Sequence, residues 1–237
     1  MGEAMLKITG LNAYYGRAHI LHDVDVTLGR GEVVALLGRN GAGKSTIMKS
    51  AMGLLSGRSG KVEFRGRDVG SLRPYRISRL GLAYVPEDRR IFSGLTVLEN
   101  LEVGRRMSAD VSRPWTPERL FELFPNLGER RDQDGARLSG GEQQMLTVGR
   151  ALMGNPLAIL LDEPSEGLAP IIVEQMARAV KTLKDEGMSI LLSEQNLYFA
   201  HAVGDRAYVV DRGRIRYEGR LDEIMANDEI RRAHLAV

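Results

Sequence analysis

Nine residues, GRNGAGKST from Gly38 to Thr46, constrain the fold of this chain more than any other stretch. They follow the apolar run VVALL, from Val33 to Leu37, and fit the pattern G-x-x-x-x-G-K-[ST]. Glycines let a backbone curl until its N–H groups surround a polyphosphate, and a helix that starts after the loop adds a positive dipole end. The stretch therefore predicts a buried strand, a phosphate loop and a helix, in that order.

The side chains of this phosphate loop suit a nucleotide together with Mg²⁺. Lys44 is expected to reach the β and γ phosphates, and the hydroxyl of Ser45 can ligate the metal ion. A glycine-rich turn without a ligand is the alternative, but the position between a buried-strand pattern and a helix favours phosphate binding. The residues predicted to bind nucleotide here are Gly38, Arg39, Asn40, Gly41, Ala42, Gly43, Lys44, Ser45 and Thr46.

Composition narrows the remaining classes of protein. The 237 residues are 43% hydrophobic, enough for one large domain or for a core with a subdomain. With 33 basic and 31 acidic residues the formal charge is +2, so there is no electrostatic case for nucleic acid as the principal ligand. The absence of cysteine excludes disulfides and thiolate metal sites. The sequence shows no signal-peptide pattern and no apolar run near the ~20 residues that span a bilayer, so the chain is not expected to cross a membrane by itself.

The first third of the chain predicts a small antiparallel sheet. Residues 6–15 and 24–28 alternate apolar with polar side chains, a pattern typical of half-buried strands, and residues 61–69 favour a hairpin. Because these segments flank the strand before the phosphate loop, we expect their sheet to lie beside a mainly parallel one. Tyr15, just before Gly16, could stack on a purine or could be a packed tyrosine at a strand end.

A further strand is predicted over residues 76–85. Pro86 should end it, because proline cannot donate to a β-ladder and biases the preceding residue to an extended conformation. Glu87 is then expected on a loop just beyond a strand end, where ligand chemistry gathers in open parallel sheets.

Residues 88–155 predict a mostly helical insertion. The helical pattern starts at Ile91, and Thr116 is the expected N-cap of an amphipathic segment that stops at Pro125. The apolar residues of this segment are expected in the core rather than on a docking surface, and they are Leu120, Phe121, Leu123 and Phe124.

The segment LSGGEQQ, from Leu138 to Gln144, leads into the last helix of this insertion. Ser139 and Glu142 have the spacing of a capping box, in which each side chain satisfies a backbone N–H at a helix start. The two glycines between them are poor helix formers, each costing about 1 kcal/mol relative to alanine in a helix interior. Their presence suggests that an anion approaches this backbone closely.

Two buried strands are predicted to end in polar residues. Residues 157–161, LAILL, precede Asp162 and Glu163, and residues 189–193, SILLS, precede a Glu-Gln-Asn run that includes Gln195. With a phosphate loop upstream, Asp162 can hold Mg²⁺ through its water shell and Glu163 can take a proton from the attacking water. Two solvated carboxylates at a strand end are the alternative. A hairpin and a short helix follow.

With these segments in one order, the sequence resembles the ATP-binding subunit of an ATP-binding-cassette transporter over nearly its whole length. LSGGEQQ is the most specific segment, because many NTPases have a phosphate loop but this signature marks the cassette family. Within the family, YVPEDRRIFSGLTVLENL, LLDEPSEGLAP and LLSEQN look most like one of the two ATPase subunits of bacterial branched-chain amino acid importers.

The resemblance implies an α/β fold: a P-loop NTPase core with a mainly parallel sheet, a small antiparallel β subdomain and an inserted α-helical subdomain. It implies a single cassette domain over residues 1–237. Residues 1–87 and 156–237 would form the nucleotide-binding core with the antiparallel subdomain, and residues 88–155 the helical subdomain that carries the signature.

The resemblance also assigns roles outside the phosphate loop. Tyr15 would stack on adenine, and Glu87 stands where most relatives have a glutamine that senses Mg²⁺ and the transmembrane partner. Ser139, Gly140 and Gly141 would contact the γ-phosphate held by the other subunit of a head-to-tail dimer, with ATP at the interface.

The catalytic roles implied by the resemblance fall to Lys44, Glu163 and Gln195, and the metal roles to Ser45 and Asp162 besides Glu87. Gln195 occupies the switch position, which is usually histidine. A glutamine can donate a hydrogen bond to a phosphate but cannot become cationic.

The implied cofactors are ATP and Mg²⁺, and the implied partners belong to a membrane complex. These partners are transmembrane permease subunits, a second ATPase subunit that is either a copy of this chain or a related one, and indirectly a solute-binding protein. The chain would lie in the cytoplasm on the inner face of the cell membrane, with no nucleic acid partner. It would power the import of branched-chain or related hydrophobic amino acids.

Three alternatives stay open. A cassette ATPase that acts on nucleic acid or ribosomes would share these motifs, but such proteins usually carry long coiled-coil insertions or two cassettes per chain. An importer ATPase could serve another small solute, such as urea or amides. A regulatory cassette would bind ATP without turnover, and the intact Lys44, Ser45, Asp162 and Glu163 argue against it.

Overall fold

The computed structural model describes residues 4–106 and 113–235. The strands within them are β1 (Leu6–Tyr15), β2 (Ala18–Leu28), β3 (Val33–Leu37), β4 (Arg58–Phe64), β5 (Arg67–Asp68), β6 (Leu82–Val85), β7 (Ala158–Asp162), β8 (Ser189–Glu194), β9 (Arg206–Asp211) and β10 (Arg214–Arg220). The α-helices are α1 (Lys44–Ala51), α2 (Pro74–Arg79), α3 (Val97–Gly104), α4 (Pro117–Leu123), α5 (Pro125–Gly128), α6 (Gly140–Leu152), α7 (Pro170–Asp185), α8 (Leu197–Val203), α9 (Leu221–Ala226) and α10 (Asp228–His234).

A six-stranded, mainly parallel sheet forms the centre of the fold. Its strand order is β10-β9-β3-β8-β7-β6, in which β10 runs antiparallel to β9 and the other neighbours are parallel. Every residue of β3, β7 and β8 is buried, because both faces of this sheet are covered and neither can be polar. Val34 packs in the same cluster as α1, and Val33 in the same cluster as α7. The predicted buried strands are thereby confirmed.

A second, four-stranded antiparallel sheet has the order β2-β1-β4-β5. It confirms the predicted antiparallel sheet and the hairpin near residues 61–69. Strand β2 begins at Ala18, six residues before the predicted start at residue 24. The first residues of β2 are exposed and lack the expected alternation of apolar and polar side chains. Their backbone nevertheless pairs with β1 as far as Tyr15, which lies opposite Ala18. Cross-strand hydrogen bonding therefore extends the strand beyond the amphipathic pattern.

The predicted strand over residues 76–85 is wrong in its first half. Residues Pro74–Arg79 form α2, with Pro74 in the first turn, where its missing N–H has no helical partner to lose. Gly81, at a φ of 101°, then turns the chain into β6. Glu87 lies on the loop beyond β6, as predicted.

Helices α3 to α6 lie between β6 and β7 in the chain. Helix α3 begins at Val97, six residues later than predicted, because Thr96 caps it and Glu99 completes a capping box. Thr116 caps α4 as predicted, whereas Pro125 begins the short helix α5 instead of only ending α4.

The apolar side chains of these helices share one core with α7 and the parallel sheet. Leu120 and Phe124 are buried, and Phe121 and Leu123 are half-buried against the same cluster, so their predicted place in the core is confirmed. The subdomain boundaries at residues 88 and 155 stay a prediction. Across the two described ranges, no helix combines the length and apolarity needed to cross a bilayer.

Candidate nucleotide and catalytic site

The phosphate loop lies between the end of β3 at Leu37 and the start of α1 at Lys44. The unpaired N–H groups at the start of α1 therefore border the loop. Gly43 has a φ of 112°, and a Cβ at this position would lie 2.7 Å from Cδ2 of Leu21. A larger residue would strain both the backbone and the core beneath it. The predicted order of strand, loop and helix is confirmed.

Lys44 is held by three oxygen atoms of the protein. Its Nζ donates to the carbonyl oxygens of Gly38 at 2.7 Å and Arg39 at 3.2 Å, and it forms an ion pair with Oε1 of Glu163 at 2.8 Å. The two side chains are only 3% and 4% exposed. Because the three N–H groups of Lys44 all have partners, phosphate binding by this lysine would require phosphate oxygens to replace at least one of these oxygen atoms.

Asp162 ends β7 and is 1% exposed. Its Oδ1 accepts hydrogen bonds from the hydroxyls of Ser45 at 2.9 Å and Ser193 at 2.6 Å, and its Oδ2 accepts one from the hydroxyl of Tyr84 at 2.8 Å. Burial and the charge of Asp162 raise the pKa of the Tyr84 phenol, so this hydroxyl stays protonated as a donor. Three neutral hydroxyls from three parts of the chain thus fix one buried carboxylate.

Glu163 has a backbone φ of 49°, in the left-handed region. Its N–H donates to the backbone oxygen and to the hydroxyl of Ser193, both at 3.1 Å. Gln195 donates from Nε2 to Oε2 of Glu163 at 3.0 Å and to Oδ1 of Asn40 at 2.8 Å. The three residues predicted to be catalytic, Lys44, Glu163 and Gln195, therefore form one connected cluster at the phosphate loop.

Glu194, at the end of β8, connects the two loops that carry this cluster. Its Oε1 accepts from the N–H of Ser165 at 3.1 Å and its Oε2 from the N–H of Asn196 at 3.2 Å. Burial raises the pKa of the Glu194 carboxyl to about 7, although these hydrogen bonds oppose the shift. The carboxylate ties the loop after Glu163 to the loop that carries Gln195.

Glu87 and Glu163 line one cavity of about 590 Å³, together with Glu166 and Gln144. Glu87 is exposed on its loop, and its predicted role at the metal stays a prediction. The amide Nε2 of Gln144 is buried without a hydrogen-bond partner in the described parts of the chain.

The signature forms the start of α6. Ser139 accepts from the N–H of Glu142, and Glu142 accepts from the N–H of Ser139, which confirms the predicted capping box. A Cβ on Gly140 would lie 2.6 Å from a guanidinium nitrogen of Arg89, and one on Gly141 would lie 2.7 Å from Cγ2 of Ile172. Both glycines therefore pack closely against side chains of the same chain, and the approach of an anion to this backbone stays a prediction.

Tyr15 ends β1 and is 46% exposed. The neighbouring Tyr14 stacks on His19, its partner in the pairing of β1 with β2, with ring centroids 4.3 Å apart. The adenine contact of Tyr15 stays a prediction.

The oxygen atoms around Asp162 fit Mg²⁺. A hydroxyl and one carboxylate are hard donors, and Mg²⁺ is usually held by one or two carboxylates together with substrate phosphates and water. Nowhere in residues 4–106 and 113–235 are three His, Cys, Asp or Glu side chains grouped to hold a metal ion. Ser45 and Asp162, in hydrogen-bond contact at the phosphate loop, suit an ion that is bound together with a nucleotide.

Sequence reasoning missed three residues of this site: Tyr84, Ser193 and Glu194. Ser193 and Glu194 stand at the carboxyl end of a buried parallel strand, so the rule that identified Asp162 and Glu163 also applies to them. Tyr84 has no such signal, because tyrosine is common in half-buried strands.

The chain matches the family model described as ABC transporter over residues 21–166, more than half of its length. The high-affinity branched-chain amino acid transport ATP-binding protein BraG of Pseudomonas aeruginosa is 43% identical, covering 98% of this chain and 99% of the relative. The probable branched-chain amino acid transport ATP-binding protein LivF of Archaeoglobus fulgidus is 34% identical, with the same coverage. The lipopolysaccharide export system ATP-binding protein LptB of Escherichia coli K12 is 35% identical, covering 98% of each chain.

Solved structures agree with this match. A nucleotide-free ATP-binding cassette from an ABC transporter superposes with a TM-score of 0.82 at 27% identity, over 96% of this chain and 97% of that one. The likeness therefore extends over both sheets and the helices between β6 and β7. From sequence, fold and site together, this chain belongs to the ABC transporter family, as one of its ATP-binding, ATP-hydrolysing cassettes.

Proposed function

We propose that this chain hydrolyses ATP with Mg²⁺ to power a membrane importer of branched-chain or related hydrophobic amino acids. The observation that supports this substrate class is the 43% identity to BraG, across 98% of this chain and 99% of the relative. The export relative LptB is less similar, at 35% identity. Import is therefore favoured over export.

Glu163 is the proposed general base. Its carboxylate accepts a proton from water while the water oxygen attacks the γ-phosphorus, and the bond from that phosphorus to the β–γ bridging oxygen breaks. The electrons of this bond stay on ADP, inorganic phosphate leaves, and Glu163 returns its proton to solvent. Gln195, in hydrogen-bond contact with Glu163 and Asn40, is suited to orient the base beside the phosphate loop.

The ion pair between Lys44 and Glu163 links substrate binding to catalysis. While Oε1 of Glu163 lies 2.8 Å from Nζ of Lys44, this oxygen is engaged by the ammonium group of the lysine. Phosphate oxygens that replace Oε1 of Glu163 as the partner of Lys44 would also free the Glu163 carboxylate. The base then becomes available only when a nucleotide is bound.

Ser45 and Asp162 would hold Mg²⁺ in this function, and Glu87 would approach it from the loop after β6. When bound, the ion neutralises charge on the phosphate oxygens. The hydroxyls on Asp162 orient its carboxylate, and the deep burial of this residue excludes water from one side.

A groove beside the site supports a protein partner. Arg90 and Arg150 contribute to its lining, and four exposed apolar side chains line it as well: Leu54, Tyr75, Phe92 and Val103. Exposed apolar side chains gathered in one groove are typical of a protein contact. We assign it to a cytoplasmic segment of a permease subunit, which would hold this chain on the inner face of the membrane.

The signature supports a second ATPase subunit. Ser139, Gly140 and Gly141 begin α6, in the proposed helical subdomain of residues 88–155, and the hydrogen bonds of Ser139 run to Glu142 of the same helix. Its partners therefore do not include the phosphate loop of its own chain. In a head-to-tail dimer it would serve the nucleotide of the opposite subunit.

The test is to tag this chain in its native cell, purify it in detergent and identify the chains that accompany it. We expect permease subunits, and vesicles reconstituted with them and their solute-binding protein should take up leucine, isoleucine or valine in an ATP-dependent way. Recovery with ribosomes or nucleic acid and without membrane proteins would contradict the proposal. Uptake of urea or acetamide instead would contradict only the substrate class.

A further inference from the structure

Tyr84 lies on β6, the edge strand of the parallel sheet next to β7. In the register of the two strands Tyr84 is opposite Leu160, two residues before Asp162. The tyrosine hydroxyl therefore reaches past the end of the pairing to Oδ2 of Asp162, at 2.8 Å. It is the only hydroxyl that the structure records on this oxygen within the described residues.

The two oxygens of Asp162 have different surroundings. Oδ1 accepts hydrogen bonds from the hydroxyl of Ser45, which belongs to the phosphate loop, and from the hydroxyl of Ser193. Within the described residues, Oδ2 accepts a hydrogen bond only from the hydroxyl of Tyr84. Because a carboxylate can rotate about its Cβ–Cγ bond, a donor on Oδ2 adds to the donors on Oδ1 in restricting that rotation.

We propose that Tyr84 is a positioning residue for the magnesium site: its hydroxyl fixes Asp162 so that the carboxylate edge shared with Ser45 is presented to the metal. This inference rests on the proposed use of Mg²⁺. Tyr84 touches neither nucleotide nor metal in this scheme and acts only through Asp162. Loss of the hydroxyl should therefore weaken steps that need the metal and spare those that do not.

The test compares wild type with Tyr84→Phe, which keeps the ring and removes one oxygen atom. ATP affinity is titrated in EDTA and across a range of Mg²⁺ concentrations. We expect wild type and Tyr84→Phe to have equal ATP affinity in EDTA. In the variant, the Mg²⁺ concentration that gives half of the metal-dependent increase in ATP affinity should rise about threefold to tenfold, the effect of losing one hydrogen bond. Turnover should recover at high Mg²⁺.

Tyr208→Phe is the matched control. Tyr208 lies on β9 of the same sheet, and its hydroxyl accepts from the N–H of Thr27 at 3.1 Å and makes no recorded contact with Asp162. Its Mg²⁺ dependence should equal that of wild type. Thermal unfolding of both variants shows whether either change alters folding, and the affinity in EDTA reports on the integrity of the phosphate loop.

The outcomes distinguish a failure of the role inferred for Tyr84 from a failure of the proposed use of Mg²⁺. If Tyr84→Phe shows the wild-type Mg²⁺ dependence, Tyr84 does not position Asp162. If its ATP affinity falls equally in EDTA and in Mg²⁺, the residue acts through packing and the inference is overturned. If wild type itself binds and hydrolyses ATP without any effect of Mg²⁺, the metal part of the proposed function fails first, and the inference fails with it.

Discussion

At the scale of single residues, the contact that most affects the chemistry is the ion pair between Lys44 and Glu163, 2.8 Å long and buried on both sides. While Nζ of Lys44 and Oε1 of Glu163 contact each other, neither atom is free for its proposed role, phosphate binding for the lysine and proton transfer for the glutamate. In the proposed function, nucleotide binding would therefore come before activation of the base.

Glu163→Gln should separate these roles. The amide keeps the shape of the side chain but cannot take a proton, so turnover should fall by ~10²–10⁴-fold. It also replaces a charge-assisted contact to Lys44 by a neutral one, and the difference of about 1 kcal/mol should tighten ATP binding roughly fivefold. Phosphate release and direct ATP titration measure the two effects.

Glu174→Gln is the control, because this carboxylate is exposed on α7 and makes no recorded contact with Lys44 or Glu163 within the described residues. Its turnover should stay within a few-fold of wild type. A Glu163→Gln protein that hydrolyses ATP near the wild-type rate would remove Glu163 from the role of base.

Glu194 makes the stability of the folded chain depend on pH. Burial raises the pKa of this carboxyl to about 7 in the folded chain, from an ordinary value of 4.5. Between these values the folded state binds more protons than the unfolded state, so the free energy of unfolding falls as pH rises from about 4.5 to 7. Above pH 7 the buried charge is fully present and so is its cost.

Glu194→Gln should remove this dependence, because an amide does not titrate. The melting temperature of the variant minus that of wild type should be more positive at pH 8 than at pH 5, on the order of 5 °C for a chain of this size. Glu229→Gln, an exposed change on α10, should show a constant difference. A constant difference for Glu194→Gln as well would mean that its carboxyl titrates normally.

At the scale of elements, α2, α3 and the loop after β6 bring apolar side chains together on the surface. Tyr75 lies on α2, Val103 on α3 and Phe92 on the connecting segment, where the guanidinium of Arg150 lies 4.8 Å from its ring centre. None of these side chains belongs to the phosphate loop or the acidic cluster, so binding a partner and hydrolysing ATP can be tested separately.

Phe92→Ala should weaken binding to the membrane subunits by about tenfold or more, since large aromatic anchors often dominate such contacts. The ATPase rate of the isolated chain should not change, because Phe92 is outside the catalytic cluster. Tyr14→Ala, an exposed aromatic change on the antiparallel sheet, should leave both properties intact. Normal co-purification of Phe92→Ala with the membrane subunits would exclude the groove as their binding surface.

At the scale of the whole molecule, the signature and the phosphate loop are expected to meet only between two subunits. Mixing a Ser139→Arg chain with a Lys44→Ala chain would then create mixed dimers with one intact composite site and one doubly defective site. Random pairing of equal amounts makes half of the dimers mixed, so about one quarter of the sites should be active. Each variant alone should be nearly inactive in phosphate release.

A signature that serves its own chain predicts a different result, namely no recovery at any mixing ratio. The double variant Lys44→Ala with Ser139→Arg, mixed with wild type, is the control. Its mixed dimers have one defect at each site, so they should add no activity to that of the wild-type dimers.

Patterns within a few residues of one another were sufficient to predict those helices, strands and loops that depend only on neighbouring residues. The phosphate loop, the caps at Thr116 and Ser139 and the buried strands each depend on residues within a few positions of one another. The error in the first half of the predicted strand over residues 76–85 also has a local cause, because Pro74 is suited to the first turn of a helix. Local signals therefore account for most of the helices and strands.

Tertiary structure decided which of these local elements share a site. Ser45 and Asp162 are 117 positions apart, and Tyr84 and Asp162 are 78 apart, yet their oxygen atoms lie within 3 Å because the strand order is β3-β8-β7-β6. The sequence by itself determined that Asp162, Glu163 and Gln195 follow buried strands. Only the folded sheet decided that Lys44 pairs with Glu163 and that Tyr84 holds Asp162, since such contacts depend on strand order and burial, which no local pattern encodes.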